Sequence, residues 1–301
     1  MPRWTIDGPQ RLTLAEPVDR LDVSLISGRL NVVGADGPCR VEVTQGQRTS
    51  LRVEARDGRL SVRQERPSTW SGLLWWLLMA RRIRAHVSVA VPPQTRVDLR
   101  MVDGSVVASG LRAVTRVEVT SGQVTLMGLA GRTSAKLVSG PVEALGVTGD
   151  LTMETVSGEL VLADGGAERV HATTRSGSIT CDLDNPRHSE IRLGTMSGSV
   201  TVRVREDSDL TVHLHTTSGQ ITSAFPRLSA ADGPPWAREA QGVLGAGDGK
   251  LWATSVSGSI ALLSRPVDDE DDPGYDEDLD GGTVAPGPDA AAGRPAPDAA
   301  S

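Results

Sequence analysis

A short Ser–Gly motif recurs through most of this chain and constrains its fold more than any other feature. The seven copies begin at Ser121, Ser139, Ser157, Ser176, Ser197, Ser218 and Ser257. The first five spacings are 18, 18, 19, 21 and 21 residues, and the last is 39 residues. Repetition at a period near twenty residues is typical of solenoid proteins, in which each repeat forms one coil.

Apolar residues occupy fixed places on both sides of each Ser–Gly pair. Before and after the pair, apolar and polar residues alternate, which predicts strands with one buried face. The alternation changes phase across the pair, so the chain must bend there. Gly suits such a bend because it takes positive φ, and the Ser hydroxyl can bond to nearby backbone. We expect the residues three places after each Ser to be buried and stacked: Val124, Val142, Leu160, Ile179, Val200, Ile221 and Ile260.

These observations predict an all-β protein, namely a single-chain parallel β-helix with coils of about 18–21 residues. The alternative is an antiparallel β-sandwich, whose strands also alternate and turn often. We favour the β-helix because a sandwich does not need the same corner seven times.

Degenerate copies of the motif extend the pattern toward the N-terminus. They are centred on Ser27–Gly28, Asp57–Gly58 and Asp103–Gly104. We predict a strand-rich cap over residues 1–94 and a β-helix repeat domain over residues 95–265.

An apolar and basic insertion interrupts the cap at about residues 70–84, where we expect a short helix. Seven apolar residues, Leu73 to Met79, precede Arg81, Arg82 and Arg84. The preferred interpretation is a helix that covers the open end of the β-helix, whose edge groups would otherwise be unpaired. The alternatives are a peripheral membrane contact through Leu73–Arg84 and an oligomer interface. The run is too short to span a bilayer.

The C-terminal part contains a second insertion, residues 225–249, and an acidic tail, residues 266–301. The tail has 11 acidic residues and one Arg, so its net charge is −10. The whole chain carries −7, and subtracting −10 leaves about +3 for residues 1–265. We predict a disordered acidic tail rich in Pro, Ala and Gly, and no nucleic-acid binding. The first residues lack the apolar region of a secretory leader, which favours a cytoplasmic location, with peripheral membrane association as an alternative.

Few residues form patterns typical of chemical sites. The two cysteines, Cys39 and Cys181, are too few for a disulfide framework or a zinc site, and Cys181 lies in an inward position. His213 and His215 both point outward on one strand but lack a third metal ligand. His171 shares a column with His213, with Arg192 between them, which is too far for one ion.

Two further patterns also have structural explanations. Residues Gly245–Gly249 are expected to form a turn, since no βαβ unit surrounds them as a dinucleotide site would require. Glu118 and Glu154 share an outward column with Lys136 between them. This is typical of a solvated charged face and not of the paired carboxylates of a glycoside hydrolase. We therefore predict no catalytic, cofactor-binding or metal-binding residues, no cofactor and no enzymatic activity.

The repeated corner, the segment Leu244–Leu251 and the closing segment Thr254–Leu263 resemble one bacterial family. It comprises β-strand-repeat proteins of unknown function that bear the provisional name adhesin, and the resemblance covers about residues 4–265. The resemblance implies a β-helix-like fold without established catalytic residues.

Our leading functional hypothesis is a non-catalytic β-solenoid scaffold or interaction module, adhesin-like by resemblance. Its outer Ser/Thr faces would bind an unidentified protein or cell-envelope partner. One alternative is a cytoplasmic β-helix that polymerises as a homo-oligomer or associates with a membrane. A carbohydrate-active β-helix enzyme is the third.

Overall fold

In the computed structural model, each repeat consists of two strand segments that meet at the Ser–Gly pair. The structure describes residues 3–266 apart from residue 7 and residues 47–49, 66–83, 184–187 and 231–237. The described residues form 22 strands and no helix. We call the segment that ends at each Ser the upstream strand, and the segment that follows each Gly the downstream strand.

The strands before the regular repeats are β1 (Arg3–Ile6), β2 (Gln10–Leu14), β3 (Arg20–Gly34), β4 (Cys39–Gly46), β5 (Leu51–Arg56), β6 (Arg59–Gln64) and β7 (Ala85–Val91). The central strands are β8 (Arg96–Ser109), β9 (Thr115–Met127), β10 (Arg132–Ser139), β11 (Val142–Leu145), β12 (Thr148–Ser157), β13 (Leu160–Ser176), β14 (Ile179–Leu183), β15 (Glu190–Ser197) and β16 (Val200–Arg205). The last strands are β17 (Leu210–Ser218), β18 (Ile221–Ser223), β19 (Ser229–Ala230), β20 (Arg238–Leu244), β21 (Gly249–Ser257) and β22 (Ile260–Arg265).

Equivalent strands of neighbouring repeats pair in parallel and in register. Ser139 of β10 lies opposite Ser121 of β9 on one side and Ser157 of β12 on the other. The ladders β12–β13 and β13–β15 continue this row through Ser176 and Ser197. Strands with one recurring pattern are thus stacked position on position, and these ladders lack the antiparallel pairing of a sandwich.

The phase change at the Ser–Gly pair turns both strand segments of a repeat toward one core. In β9, Val117 and Val119 are buried before the pair, and Val124 and Leu126 are buried after it. Since side chains alternate along a strand, a straight strand would have exposed one of these two sets. The predicted bend is therefore confirmed by burial on both sides of the corner.

Six of the seven residues predicted to stack in the core are buried: Val124, Val142, Leu160, Ile179, Val200 and Ile260. The prediction is wrong for Ile221, which is only partly buried against the core. Ile221 lies in β18, which pairs with β22 on one side. The described residues supply no partner strand on its other side, so that row ends at Ile221.

Glycine is required at the corner because successive corners touch through their backbones. A Cβ atom on Gly122 would lie 1.7 Å from the carbonyl oxygen of Gly104. On Gly198 it would lie 2.0 Å from the carbonyl oxygen of Gly177, and on Gly258 1.8 Å from that of Gly198. Gly122 and Gly198 also have φ of 141° and 144°, which L-residues with side chains rarely adopt.

Buried hydroxyl groups line the inner side of the corner. Thr195 donates a hydrogen bond to the carbonyl oxygen of Gly177 (3.3 Å), and Thr216 donates one to that of Gly258 (2.9 Å). Ser255 does the same with Gly198 (3.4 Å). Each of these side chains ties its own repeat to the glycine of the neighbouring repeat, because a buried carbonyl oxygen needs a donor.

The last repeat is inserted into the stack out of sequence order. β21 pairs in parallel with β15 on one side and with β17 on the other. β22 lies in the same way between β16 and β18. β20 then pairs antiparallel with β17, and β19 with β20. Residues 225–249, predicted as an insertion, therefore include strands that bring the chain back into the stack.

A similar exchange of order occurs near the N-terminus. The repeat of Gly28, formed by β3, pairs with β8 on one side and with β6 and β7 on the other. The ladder between β3 and β8 joins residues on both sides of residue 94 in one sheet. Antiparallel strands follow outward, with β5 on β6, β1 on β5, β4 on β7 and β2 on β4.

The assignment of Asp57–Gly58 to the repeat is wrong. β5 and β6 form an antiparallel hairpin with Arg56 opposite Arg59, so Asp57 and Gly58 are its two loop residues. Both have positive φ, 48° and 72°, as a type I′ turn requires. Asp–Gly is the preferred sequence for that turn. The other two degenerate copies, Ser27–Gly28 and Asp103–Gly104, do align with the corners of the regular repeats.

Two predicted features lie outside the described residues. The expected helix at about residues 70–84 falls on residues 66–83 except for Arg84, which is not helical. The acidic tail, residues 266–301, lies outside the described residues apart from Pro266. Among the described residues, no helix could cross a bilayer.

An ion triad joins three repeats on the downstream side. Asp182 of β14 accepts a hydrogen bond from Arg203 of β16, and its other carboxylate oxygen lies 3.7 Å from Arg265 of β22. The hydrogen bond from Arg203 and the charges of Arg203 and Arg265 lower the pKa of Asp182. The out-of-order strand β22 is thus tied to two earlier repeats.

We expect Gly198→Ala to destabilise the protein strongly and Gly194→Ala to be tolerated. The first change places a methyl group on the Gly177 carbonyl oxygen at a positive φ and should cost more than about 2 kcal/mol. Gly194 lies in β15 of the same repeat, where a Cβ would make ordinary contacts of 3.5 and 3.6 Å with Thr254 and Thr173. Denaturant unfolding measures both, and equal losses would contradict the backbone contact at the corner.

We expect Asp182→Asn to lower the melting temperature at pH 7 and to lose this effect in acid. Because the folded pKa of Asp182 is lowered, its carboxylate stabilises the fold above the unfolded Asp pKa of about 3.9. That contribution disappears as the pH falls through the folded pKa. Melting curves between pH 7 and pH 2 should therefore converge. Glu159→Gln, an exposed carboxylate on the same side, is the control, and a constant gap for Asp182→Asn would rule out the triad.

Candidate interaction surface

The outward face of the upstream strands, here the upstream face, carries a row of exposed apolar side chains. Each is the residue before the Ser of its repeat, and together they form the apolar row: Val138, Val156, Met196 and Val256. They are 51%, 46%, 54% and 51% exposed. Arg175 stands at the same place in the repeat between Val156 and Met196. Four of the eight large exposed apolar side chains in the described part of the chain are in this one row.

A shallow groove of about 620 Å³ runs beside the apolar row. Its outward positions are small where β13, β15 and β21 pass, because Thr173, Gly194 and Thr254 follow one another there. An ion pair between Lys136 and Glu154 (2.9 Å) stands in the same positions toward the N-terminal end. The groove is therefore open where its residues are small and narrower at the ion pair.

Aromatic and cationic side chains occupy the next outward positions of the same strands, beyond the small residues of the groove. We call His171, Arg192, Trp252 and His213, which follow one another across β13, β15, β21 and β17, the cation–tryptophan row. The Arg192 guanidinium carbon lies 5.0 Å from the centre of the Trp252 ring, and Lys250 Nζ lies 6.0 Å from it. Both distances are within the range of cation–π attraction.

His213 completes this row from the other side of Trp252. The two rings are nearly parallel, with an interplanar angle of 12° and centres 6.3 Å apart. This arrangement exists only because β21 lies between β15 and β17. In sequence order, Arg192 would have stood beside His213, and Trp252 would have been absent from between them.

The upstream and downstream faces differ in charge. The upstream strands lie in β8, β9, β10, β12, β13, β15, β21 and β17. Their outward positions hold nine cationic residues: Arg96, Arg100, Arg116, Arg132, Lys136, Arg169, Arg175, Arg192 and Lys250. They hold five acidic residues, Asp98, Glu118, Asp150, Glu154 and Glu190. Nine minus five gives +4. The outward positions of the downstream strands hold three acidic residues, Glu143, Glu159 and Asp182, and three cationic residues, Arg203, Arg205 and Arg265, so three minus three gives 0.

Most cations of the upstream face are paired with neighbouring carboxylates. Arg169 forms two hydrogen bonds to Asp150, of 2.7 and 3.0 Å, and these lower the pKa of Asp150. Arg192 contacts Glu190 at 2.5 Å. Arg175 and Lys250 have no ion-pair partner among the described residues.

Neither cysteine has the character of a nucleophile. Cys39 and Cys181 are buried and not joined to one another. Burial raises the pKa of Cys39 to about 11 and that of Cys181 to about 12. Both thiols are therefore protonated at neutral pH, and the inward position predicted for Cys181 is confirmed.

The histidines singled out in the sequence are not gathered into a metal site. No group of three or more potential metal ligands exists in the part of the chain that the structure describes. His213 stacks on Trp252, and the column from His171 to His213 contains Trp252 in addition to Arg192. The two histidines are therefore one repeat farther apart than the sequence order implied.

The remaining candidates have structural partners. Glu118 pairs with Arg100 at 3.2 Å, and Glu154 pairs with Lys136 at 2.9 Å. Residues Gly245–Gly249 join β20 to β21, and the Gly247 N–H donates to the Leu244 carbonyl oxygen (3.1 Å). Ala246 N–H donates to Asp209, which fixes this turn beside β17.

The apolar row is the feature that sequence analysis missed. The predicted binding surface is the outer Ser/Thr faces, and the structure places such residues both on the downstream strands, for example at Thr180 and Thr201, and on the upstream strands, for example at Thr173. The signal for the apolar row was present, since Val, Val, Met and Val precede four of the Ser residues. It was not recognised because the phase change makes these positions outward-facing rather than part of the core.

Solved structures of low similarity include three with names related to adhesion. A cell adhesion protein of Clostridium sporogenes, so named provisionally, is 11% identical, with 85% of this chain and 100% of that chain covered and a TM-score of 0.28. A provisionally named adhesin of Bacteroides fragilis is 11% identical, with coverage of 88% and 97% and a TM-score of 0.36. Another, from Parabacteroides distasonis, is 11% identical, with coverage of 87% and 97% and a TM-score of 0.24.

No curated protein matches the chain. A family model does, and it spans the repeats from the first true corner in β3 to the closing strand β22. It matches residues 21–263, which is most of the chain. The chain belongs to the Toastrack family of domains of unknown function, Toastrack DUF4097.

Proposed function

We propose that the stacked repeats form a single-chain parallel β-helix that serves as a non-catalytic interaction module. The in-register parallel ladders and the shared core of upstream and downstream strands support this architecture. A scaffold of this kind displays the same outward position once per repeat, at steps of about 4.8 Å. It therefore suits a protein that binds through extended rows of side chains.

The observation that carries the proposal is the apolar row. Singly exposed apolar residues are common on protein surfaces, but aligned ones are typical of binding sites. Val156, Met196 and Val256 each leave about half of their side chain in water, and the groove beside them has a small-residue floor at Gly194. A partner that covered the row would bury these side chains together.

A non-catalytic role agrees with the chemistry of the candidate residues. The two thiols are buried and protonated, and the carboxylates of Glu118 and Glu154 are each paired with a cation. The family resemblance implies that such an interaction module would have an adhesin-like role.

The ends of the stack favour a scaffold over an end-to-end polymer. At the N-terminal end, antiparallel strands β1, β2, β4 and β5 follow the last parallel ladder, and at the other end β20 is antiparallel to β17. Polymerisation would require one end to continue the parallel ladder of the other. These ends differ from the interior ladders in strand direction.

We expect a photo-crosslinking amino acid at Val256 to capture partners far more often than one at Leu263. Both residues are exposed and belong to the same repeat, but Val256 lies in the apolar row and Leu263 lies on the downstream side. The readout is the yield of crosslinked species in native cells, compared at equal protein levels. Equal yields at both positions, or none at either, would refute the upstream face as the binding surface.

A further inference from the structure

We propose that the partner of the upstream face is an anionic lipid bilayer, to which the protein binds peripherally. This inference rests on the proposed function in one respect only, namely that the upstream face is the binding surface. It goes beyond that function by naming the chemistry of the partner.

The apolar row supplies the side chains that would enter the bilayer surface. Val156, Met196 and Val256 are about half exposed and lie beside Thr and Gly positions that do not shield them. Removing such side chains from water is favourable in proportion to the area covered. The contact is shallow because the residues stand on a sheet, so it cannot suffice alone.

Trp252 adds a side chain suited to the boundary between lipid and water. An indole has a large apolar surface and one polar N–H group, and Trp is enriched at membrane interfaces for that reason. Arg192 and Lys250 lie over its ring at 5.0 and 6.0 Å, so the aromatic ring and two cations are presented together. Cations at this level can contact lipid phosphate groups.

Charge determines which kind of bilayer the face would select. The outward positions of the upstream strands sum to +4, whereas those of the downstream strands sum to 0. Arg175, within the apolar row, and Lys250, beside Trp252, are not engaged in ion pairs among the described residues. An anionic surface would therefore attract the upstream face more strongly than the downstream face.

The spread of these features favours a bilayer over an acidic peptide. From Val138 to Val256 the apolar row crosses four ladder steps, or about 19 Å at the usual strand spacing. The cation–tryptophan row is four residues away along the strands, or about 13 Å. An extended peptide that follows one row leaves the other uncovered, whereas a lipid surface can contact both rows at once.

The chain leaves the described structure between β6 and β7, which both pair with β3 at the N-terminal end of the stack. β6 pairs with the upstream part of β3, and β7 pairs with β3 from Gly28 onward. Glu65 and Arg84, which flank residues 66–83, therefore lie where the Ser–Gly corner of their repeat would be. The sequence between them contains Leu73–Met79, Arg81 and Arg82. This is the segment for which the sequence predicted a membrane contact as an alternative, so the experiment must separate it from the upstream face.

The test is flotation of the full chain with two kinds of vesicle. One kind contains phosphatidylcholine with phosphatidylglycerol, and the other contains phosphatidylcholine alone. We expect the wild-type protein to float with the anionic vesicles only, and to be released as the salt concentration rises. Failure to float with the anionic vesicles would overturn the proposal.

Paired substitutions locate the contact. Met196→Glu with Val256→Glu should reduce the bound fraction by at least about tenfold, since each change both removes an apolar contact and adds repulsion. The matched control, Met127→Glu with Leu263→Glu, makes the same charge change at exposed apolar positions of the downstream face and should bind as wild type does. Equal losses in both variants would overturn the proposal. Melting curves of all variants verify that they are folded.

Two further measurements test whether the protein binds in a different way, through residues 66–83 or to an acidic peptide. If Arg81→Glu with Arg82→Glu abolishes flotation while Met196→Glu with Val256→Glu does not, the contact lies in residues 66–83 and the proposal is wrong. If a labelled polyglutamate peptide binds through Val256 and Lys250 while vesicles do not, the partner is an acidic peptide. That result, or protein adducts at Val256 without flotation, would reject the bilayer but leave the proposed interaction module intact.

Discussion

The backbone contact between successive corner glycines is the constraint on which the rest of the structure depends. Each carbonyl oxygen occupies the place where the next Cβ would stand, as between Gly177 and Gly198. Any shift of one repeat along its neighbour would replace glycine by a residue with a side chain at this point. The contact therefore fixes the register of the parallel ladders between repeats that carry a corner glycine, and the register in turn decides which residues are buried. The Thr and Ser hydroxyls that donate to the same carbonyl oxygens reinforce this register from the core side.

Because the register is the same at each glycine corner, the sequence predicted the content of the core but not the order of the repeats. The phase change at Ser–Gly and the burial of Val124, Ile179 and Val200 could be inferred from local patterns alone. The position of β21 between β15 and β17 could not be inferred. The corresponding core residues of these strands, Leu193, Leu214 and Ala253, are all apolar, and each would pack about equally well beside either of the others. Asp57–Gly58 was misassigned for a related reason. A hairpin loop and a corner both need Gly at positive φ, and only the pairing partner distinguishes them.

The candidate surface follows from the same two features. The apolar row was readable in the sequence as Val or Met before Ser, but its exposure depends on the bend, which turns Val256 outward while Ile260 points into the core. The cation–tryptophan row was not readable, because Trp252 reaches Arg192 and His213 only through the exchanged order of the repeats. Local periodicity thus determines which side chains face outward, while topology determines which of them become neighbours. A surface that combines residues of β15, β17 and β21 is therefore a property of the fold as a whole.

The exchanged order also changes how the ends of the stack can open. In a simple stack, the terminal repeat contacts one neighbour and can detach alone. Here β17 follows β16 along the chain but docks on β21, and β20 docks on β17 in the opposite direction. The terminal repeat can therefore dock in its native place only when β21 and β22 already cover β15 and β16. The last two repeats and β20 consequently behave as one unit, and Asp182, through Arg203 and Arg265, ties that unit to the interior of the stack. The same reasoning applies at the N-terminal end. β3 lies between β8 on one side and β6 and β7 on the other, so β3 must be in place before the antiparallel strands can pair with β6 and β7.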